Sequence, residues 1–239
     1  MNTRKLFCLG HRGACGHEPE NTLRSVRKAL ELGVHGIEVD VHFVDGQLIV
    51  IHDDTLQRTT NGRGSLSKKT FAELRTLDAG CGEHIPTLVE VFDTVARRAL
   101  INVELKGPCT AAPVVALIDD YVHQRGWRYE DFLLSSFDHE QVRQVRRLRP
   151  EVRIAPLMNK APSSLVEFAE QMGAWAVNVS KRCVTLALVD DAHARGLKVF
   201  VYTVNEPREI AKMKSLNVDG MFSDFPERVS HSSQQHSLA

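Results

Sequence analysis

Gly36-Ile37-Glu38-Val39-Asp40-Val41 decides how this chain of 239 residues is read. Glu38 and Asp40 stand at i and i+2, so on a strand both carboxylates point to one face while Ile37, Val39 and Val41 point to the other. Two carboxylates converging in an apolar interior repel unless a cation or a cationic side chain lies between them. Oxygen ligands of this kind suit Mg²⁺ or Ca²⁺. The bland alternative is an edge strand whose acids face water. Gly10-His11-Arg12-Gly13 argues against it, because it too closes an apolar run with polar groups suited to phosphate and metal. The two stretches read as the ends of the first two strands of a barrel.

Outward from this pair, short β-type runs alternate with helical patterns, which argues for a parallel sheet. The strands expected are Leu6 to Leu9, Ile37 to Val41, Gln47 to Ile51, Ala99 to Leu105, Phe132 to Ser136, Arg153 to Leu157, Ala174 to Val179 and Lys198 to Thr203, with Gly220 to Ser223 as a closing β-like piece. Between them, Leu23, Val26 and Leu30 mark a helix from about Asn21 to Leu32, with Asn21 or Thr22 as N-cap and Gly33 as stop. Thr70-Phe71-Ala72-Glu73 and Thr87-Leu88-Val89-Glu90 read as capping boxes. Asp45-Gly46 reads locally as a hairpin turn. Since a hairpin conflicts with a strictly parallel barrel, an irregular connection without a helix is expected there. Eight strand signals with intervening helices predict an α/β fold, a (β/α)₈ TIM barrel, with a small insertion after the third strand. The expected organisation is one domain over residues 1–229, an insertion over about 54–86, and a disordered polar tail over 230–239.

Composition narrows the function. Lys and Arg number 30 and Asp and Glu 30, so formal net charge is zero and no broad basic footprint points to nucleic acid. The local exception, four arginines between Arg143 and Arg149, reads as the solvated side of a helix. No run approaches the roughly 18 apolar residues of a membrane span, so no stable membrane insertion is expected. Five scattered cysteines without a CxxC pair fit reduced thiols. With no signal-peptide pattern at the start, a cytoplasmic location is expected. The oligomeric state stays open.

In a barrel of this kind reactive groups belong at the C-terminal ends of the strands. Those ends carry His11-Arg12, Glu38 with Asp40, His52-Asp53, Glu104 with Lys106, Ser135-Ser136-Phe137, Tyr202 with Asn205, and Ser223-Asp224. Taken singly, His52 could be a loop histidine and Lys106 a solvated lysine. Their convergence on one face argues for a site. Arg12 can grip phosphate oxygens in a bidentate fork and Lys106 adds a point charge. A cation on Glu38, Asp40 and Glu104 can polarise phosphoryl oxygens. Two imidazoles can divide the proton work, one activating a nucleophile and the other protonating a leaving alkoxide. Together they describe phosphodiester cleavage.

His11-Arg12-Gly13, Pro19-Glu20-Asn21-Thr22, Glu38-Val39-Asp40-Val41, His52-Asp53 with Thr59-Thr60-Asn61-Gly62, Ile85-Pro86-Thr87-Leu88, Glu104-Leu105-Lys106, Tyr202-Thr203-Val204-Asn205 and Ser223-Asp224-Phe225-Pro226 follow one another in order. This series resembles the motifs of glycerophosphodiester phosphodiesterases over nearly the whole chain. The resemblance implies a small-molecule substrate, a glycerophosphodiester such as glycerophosphocholine or glycerophosphoethanolamine, hydrolysed to sn-glycerol 3-phosphate and an alcohol. It implies a divalent cation, Mg²⁺ or Ca²⁺, on Glu38, Asp40 and Glu104, with His11 and His52 as the acid/base pair in either order. Arg12 and Lys106 would hold the phosphate, and Phe137, Tyr202 and Asn205 would line the substrate pocket. Many relatives carry Trp where Tyr202 stands. Two other readings remain: a lysophospholipase D-type hydrolase on the same barrel, which would need an apolar channel or membrane-binding surface, and a non-catalytic metabolite-binding barrel.

Overall fold

The computed structural model describes residues 6–160 and 164–231. Along the chain run β1 (Phe7–Gly10), α1 (Leu23–Glu31), β2 (Gly36–Val44), β3 (Gln47–Val50), α2 (Phe71–Arg75), α3 (Leu88–Val95), β4 (Leu100–Leu105), α4 (Ala111–Arg125) and β5 (Phe132–Ser136). They are followed by α5 (His139–Leu148), β6 (Arg153–Met158), α6 (Leu165–Gln171), β7 (Ala176–Ser180), α7 (Leu186–Ala194), β8 (Lys198–Tyr202), α8 (Pro207–Ser215), β9 (Gly220–Ser223) and α9 (Pro226–His231). Parallel pairing runs β1, β2, β4, β5, β6, β7, β8, β9 and back to β1, which closes an eight-stranded (β/α)₈ barrel.

Two strand assignments are corrected. Gln47 to Ile51 is not a barrel strand: the Asp45-Gly46 turn, both residues at positive φ, folds β3 back antiparallel on β2, outside the closed sheet. The local turn chemistry prevails over the expected parallel rhythm. Gly220 to Ser223, read as a closing piece, is the eighth barrel strand, paired with both β8 and β1. The segment after the hairpin therefore follows the second barrel strand rather than a third.

That segment has its own apolar cluster of Ile49, Ile51, Leu56, Leu66, Leu74 and Ile85. Both capping boxes form, Thr70 with Glu73 and Thr87 with Glu90. Arg75 ties the two, its guanidinium lying 2.9 Å from both oxygens of Glu90 and 2.8 Å from the Ile85 carbonyl. At α1 the N-cap is Thr22, whose side chain accepts from the Ser25 amide, while Asn21 turns its amide to Asp40. Of the four arginines at α5 and its end, Arg143 and Arg147 are exposed, while Arg146 donates to the carbonyls of Pro150 and Gly173 and Arg149, just past the helix, pairs with Asp119. Ser230 and His231 close α9, and the rest of the expected tail lies outside the described residues. No helix among the described residues is long and apolar enough to cross a membrane.

The alternation of strand side chains makes two cores. Ile37, Val39, Val41, Val103, Val177 and Val199 face the helices. Leu9, Leu133, Ala155, Ala176, Phe200 and Phe222 plug the barrel from within and support the polar end above them. Phe200 centres the plug, with ring centroids 5.5 Å from Trp175, 5.9 Å from Phe7 and 6.3 Å from Phe222. Gly220 is required beside it, because a Cβ there would lie 2.4 Å from the Phe200 ring. Phe200→Ala should cost about 3–5 kcal/mol of stability through the cavity it leaves. Urea unfolding at constant m-value measures this, and a cost near zero would mean the plug collapses to fill the space.

Candidate active site

The site begins where β1 ends. His11 donates its backbone N–H to the Ser223 carbonyl (3.0 Å), and the chain then turns through Arg12 and Gly13, at φ 51° and 84°. At Gly13 a Cβ would lie 2.3 Å from Ser25 Oγ, so glycine is needed both for its φ and for its space. This turn carries the Arg12 N–H to Glu38 Oε2 at 2.8 Å. It also places the Arg12 guanidinium 2.7 Å from Glu20 and 3.3 Å from Asp40.

Glu38 and Asp40 face inward from β2, and the β2–β4 register sets Asp40 opposite Glu104. A ligand oxygen from each of the three lies within 4.8 Å of the others. Glu38 is pushed up to about 8 by its burial and then by the neighbouring Asp40. Glu104 is raised for the same two reasons. Glu38 Oε1 is buried with no hydrogen-bond partner among the described residues. Three clustered carboxylates, one with an orphaned oxygen, are a donor set that fits a hard divalent cation.

Lys106 follows Glu104 by two residues and approaches from the β4 end, with Nζ 2.8 Å from Glu104 Oε1, 3.7 Å from Asp40 Oδ1 and 3.2 Å from His52 Nε2. Burial alone would lower its pKa, but Glu104 and Asp40 together raise it, which keeps the ammonium charged. An ammonium can only donate, so His52 Nε2 accepts, and the His52 proton sits on Nδ1, 2.6 Å from Asp53 Oδ1. His11 is held differently. Its Nδ1 lies 2.6 Å from Asp224, and although burial disfavours its charge, that hydrogen bond and the field of Glu38 raise its pKa. Burial would raise Asp224, yet hydrogen bonds from His11 and Cys15 hold it well below the usual carboxylate range.

His11, Arg12, Glu38, His52, Glu104 and Lys106 thus line one cavity of about 210 Å³, with Phe137 and Tyr202 on the same wall. The Tyr202 hydroxyl is turned away, donating to the Met158 carbonyl at 2.7 Å, so its ring is what faces Phe137, edge-on at 6.1 Å. Asn205 is the correction among the expected site residues. It does not reach the cavity wall, because its Nδ2 donates to Asp224 at 2.6 Å and its Oδ1 accepts from Asp224 N–H and Ser223. Several residues had no part in the site assigned from the sequence. Asn21 donates to Asp40 at 2.8 Å, and Arg58 forks across Asp53 and Glu20 with four contacts of 2.6–2.9 Å. Glu20, Asn21, Asp53 and Asp224 lie inside motif stretches, which was their signal. Arg58 and Cys15 carried none.

A match to the Glycerophosphoryl diester phosphodiesterase family spans residues 11–228. The chain is 34% identical over 239 residues to a glycerophosphodiester phosphodiesterase of Caldanaerobacter subterraneus subsp. tengcongensis, covering 94% of this chain and 96% of that one. It is 35% identical over 241 residues to one from Bacillus altitudinis, with 94% and 96% covered. Among solved structures, an Oleispira antarctica phosphodiesterase in complex with its product sn-glycerol 3-phosphate superposes with a TM-score of 0.85 at 30% identity, covering 94% of this chain and 95% of that one.

The raised Glu38 has a consequence for stability. The folded chain keeps this proton up to about 8, whereas the ordinary glutamate value is 4.5, so the cation-free protein should lose stability as pH rises between them. Glu38→Gln should flatten that slope. Saturating Mg²⁺ or Ca²⁺, which needs the carboxylate, should raise Tm by an amount that grows with pH. Thermal melts from pH 5 to 8 with and without the cation decide it; identical slopes in wild type and variant would contradict the assignment.

Proposed function

The chain belongs to the glycerophosphoryl diester phosphodiesterase family and is a phosphodiester hydrolase, and we propose that it cleaves glycerophosphodiesters such as glycerophosphocholine or glycerophosphoethanolamine to sn-glycerol 3-phosphate and an alcohol. The product complex of the Oleispira relative supports the reading of the product. The observation that carries it is the unequal setting of two imidazoles around one cavity, His11 inclined to hold a proton and His52 accepting at Nε2 from Lys106.

In this mechanism Arg12 and Lys106 grip the phosphate oxygens. Lys106 turns from Glu104 toward the phosphate as it does so, freeing His52 Nε2 to take the proton of the attacking oxygen, with Asp53 fixing the tautomer. His11 Nε2 gives its proton to the departing alkoxide, and Asp224 supports the imidazolium beforehand. Glu38, Asp40 and Glu104 would hold Mg²⁺ or Ca²⁺, which would neutralise their mutual repulsion and stabilise charge growing on the phosphoryl oxygens. Phe137 and Tyr202 would form the wall against which the alcohol group lies.

Activity on glycerophosphocholine should vanish with chelator, return with Mg²⁺ or Ca²⁺, and exceed activity on lysophosphatidylcholine. Removing either histidine should cost about 10²–10⁴-fold. The roles separate on an aryl diester, because p-nitrophenolate leaves without a proton: His11→Ala should be spared there and His52→Ala should not. Equal losses for both variants on both substrates would contradict the division. Arg12→Lys should lower activity despite keeping the charge, since an ammonium cannot make two parallel hydrogen bonds. If Arg12 were only a structural partner of Glu20, Tm would fall and turnover would not.

A further inference from the structure

Two groups of His, Cys, Asp and Glu side chains among the described residues bring their ligand atoms within 4.8 Å of one another. One is the Glu38, Asp40 and Glu104 cluster. The other is His11, Cys15 and Asp224, and the mechanism above gives its thiol no part. Asp224 Oδ1 lies 2.6 Å from His11 Nδ1 and 3.0 Å from Cys15 Sγ, and that sulfur is 4.0 Å from the same Nδ1. The side chains of His11 and Asp224 are 20% and 26% exposed and Cys15 is half-buried, so the cluster is open to solvent. Its two loops are fixed to each other: Cys15 follows the turn after β1, Asp224 follows β9, and the Gly16 N–H donates to the Asp224 carbonyl at 2.9 Å. Asn205 Nδ2 holds Asp224 Oδ2 at 2.6 Å and leaves Oδ1 to the cluster, as an outer partner orients a ligating carboxylate.

The donor set selects the ligand. A thiol is a weak hydrogen-bond donor, and a serine hydroxyl would serve Asp224 better; what sulfur adds is a soft ligand. Burial, and then the hydrogen bond to Asp224, raise the Cys15 thiol above its ordinary value, so without an ion it keeps its proton and is a poor nucleophile. That argues against a switch by oxidation or alkylation and leaves ligation, in which an ion displaces the proton. One imidazole, one thiolate and one carboxylate make a mixed set that suits Zn²⁺, whose tetrahedral bonds of about 2.0–2.3 Å put neighbouring ligand atoms about 3.3–3.6 Å apart. The separations of 2.6, 3.0 and 4.0 Å bracket that spacing, and a water would complete the fourth position. Mg²⁺ and Ca²⁺ take oxygen ligands, so they favour the carboxylate cluster. We propose that His11, Cys15 and Asp224 form a second metal site, for a thiophilic divalent ion such as Zn²⁺, whose occupation switches the enzyme off. On binding, the Cys15 thiol proton and the His11 Nδ1 proton pass to solvent, and the charges of ion, thiolate and carboxylate sum to zero. His11 keeps a proton on Nε2 but becomes a neutral imidazole, no longer the imidazolium that protonates a leaving alkoxide. This inhibitory half rests on the acid role proposed for His11 above.

The test titrates Zn²⁺ into glycerophosphocholine hydrolysis at saturating Mg²⁺ or Ca²⁺, each variant measured against its own zinc-free rate. Zinc should inhibit the wild type, and further Mg²⁺ or Ca²⁺ should not relieve it, as it would if zinc took the carboxylate cluster. Cys15→Ser should need at least about 10–100-fold more zinc for half inhibition, the cost of losing even an outer partner of a ligand. Binding is read without substrate by adding Co²⁺ to the Mg²⁺- or Ca²⁺-loaded protein: a thiolate-to-cobalt charge-transfer band should appear in the wild type and vanish in Cys15→Ser. No band in the wild type, a band that survives in Cys15→Ser, zinc inhibition relieved by Mg²⁺ or Ca²⁺, or inhibition that Cys15→Ser leaves unchanged overturns the site. A band lost with Cys15 but no zinc inhibition of the wild type keeps the site and overturns the acid role of His11, and with it the switch. The zinc-free rate of the wild type speaks to the glycerophosphodiester reading alone. Should Cys15→Ser fail to fold, Cys15→Ala carries the same comparisons.

Discussion

Three carboxylates crowded at one end of a barrel are the constraint on which the rest of this site depends. Charge in a low-dielectric interior is tolerated only with compensation, and Glu38, Asp40 and Glu104 are buried or nearly so. Protein groups supply part of it. Lys106 and the Arg12 guanidinium lie against Asp40 from two sides, and Asn21 and the Arg12 backbone N–H donate to Asp40 and Glu38. The remainder is visible as the raised Glu38 and its unpartnered oxygen. A cluster so arranged fits a divalent cation, and its mutual repulsion weighs against stability where it is uncompensated.

The compensating groups also wire the two halves of the site together. From His52 a chain of charge-assisted hydrogen bonds runs through Asp53, Arg58 and Glu20 to Arg12, whose guanidinium forms an ion pair with Asp40 at 3.3 Å. Arg58 belongs to the segment that follows β3 outside the barrel, whereas Arg12 and Glu20 belong to the loop after β1. The segment beyond the hairpin therefore ties the imidazole of His52 to the guanidinium of Arg12 through Asp53, Arg58 and Glu20. A second, separate support holds the other imidazole, where Asn205 and Cys15 fix Asp224 and Asp224 fixes His11. Two identical side chains thus meet different partners: His11 is held by Asp224, which raises its pKa, whereas His52 lies between Asp53 and Lys106.

Much of this was legible along the chain. Period-two alternation at Glu38 and Asp40, the capping residues at Thr70 and Thr87, and the placement of polar groups at strand ends all act over a few residues, so local physics reports them directly. The Asp45-Gly46 turn is instructive, because its local signal was sound and the expectation of a strictly parallel sheet was what misread it. Gly220 to Ser223 has a β-like pattern of its own, but only pairing with β1 and β8 makes it the strand that closes the barrel.

The sequence by itself determined the alternating β/α plan, the family motifs and the inventory of histidines, acids and cations, because periodicity and spacing are properties of neighbouring residues. The tertiary structure alone decided which partner each of those groups meets. It withdrew Asn205 from the cavity to Asp224, recruited Arg58 across to Glu20, turned the Tyr202 hydroxyl to the Met158 carbonyl, and paired the Asn102 amide nitrogen with Ser135. Hydrogen-bond partnership depends on distances of about 3 Å between atoms far apart in the chain. Closure of the barrel sets those distances, and no local pattern records them.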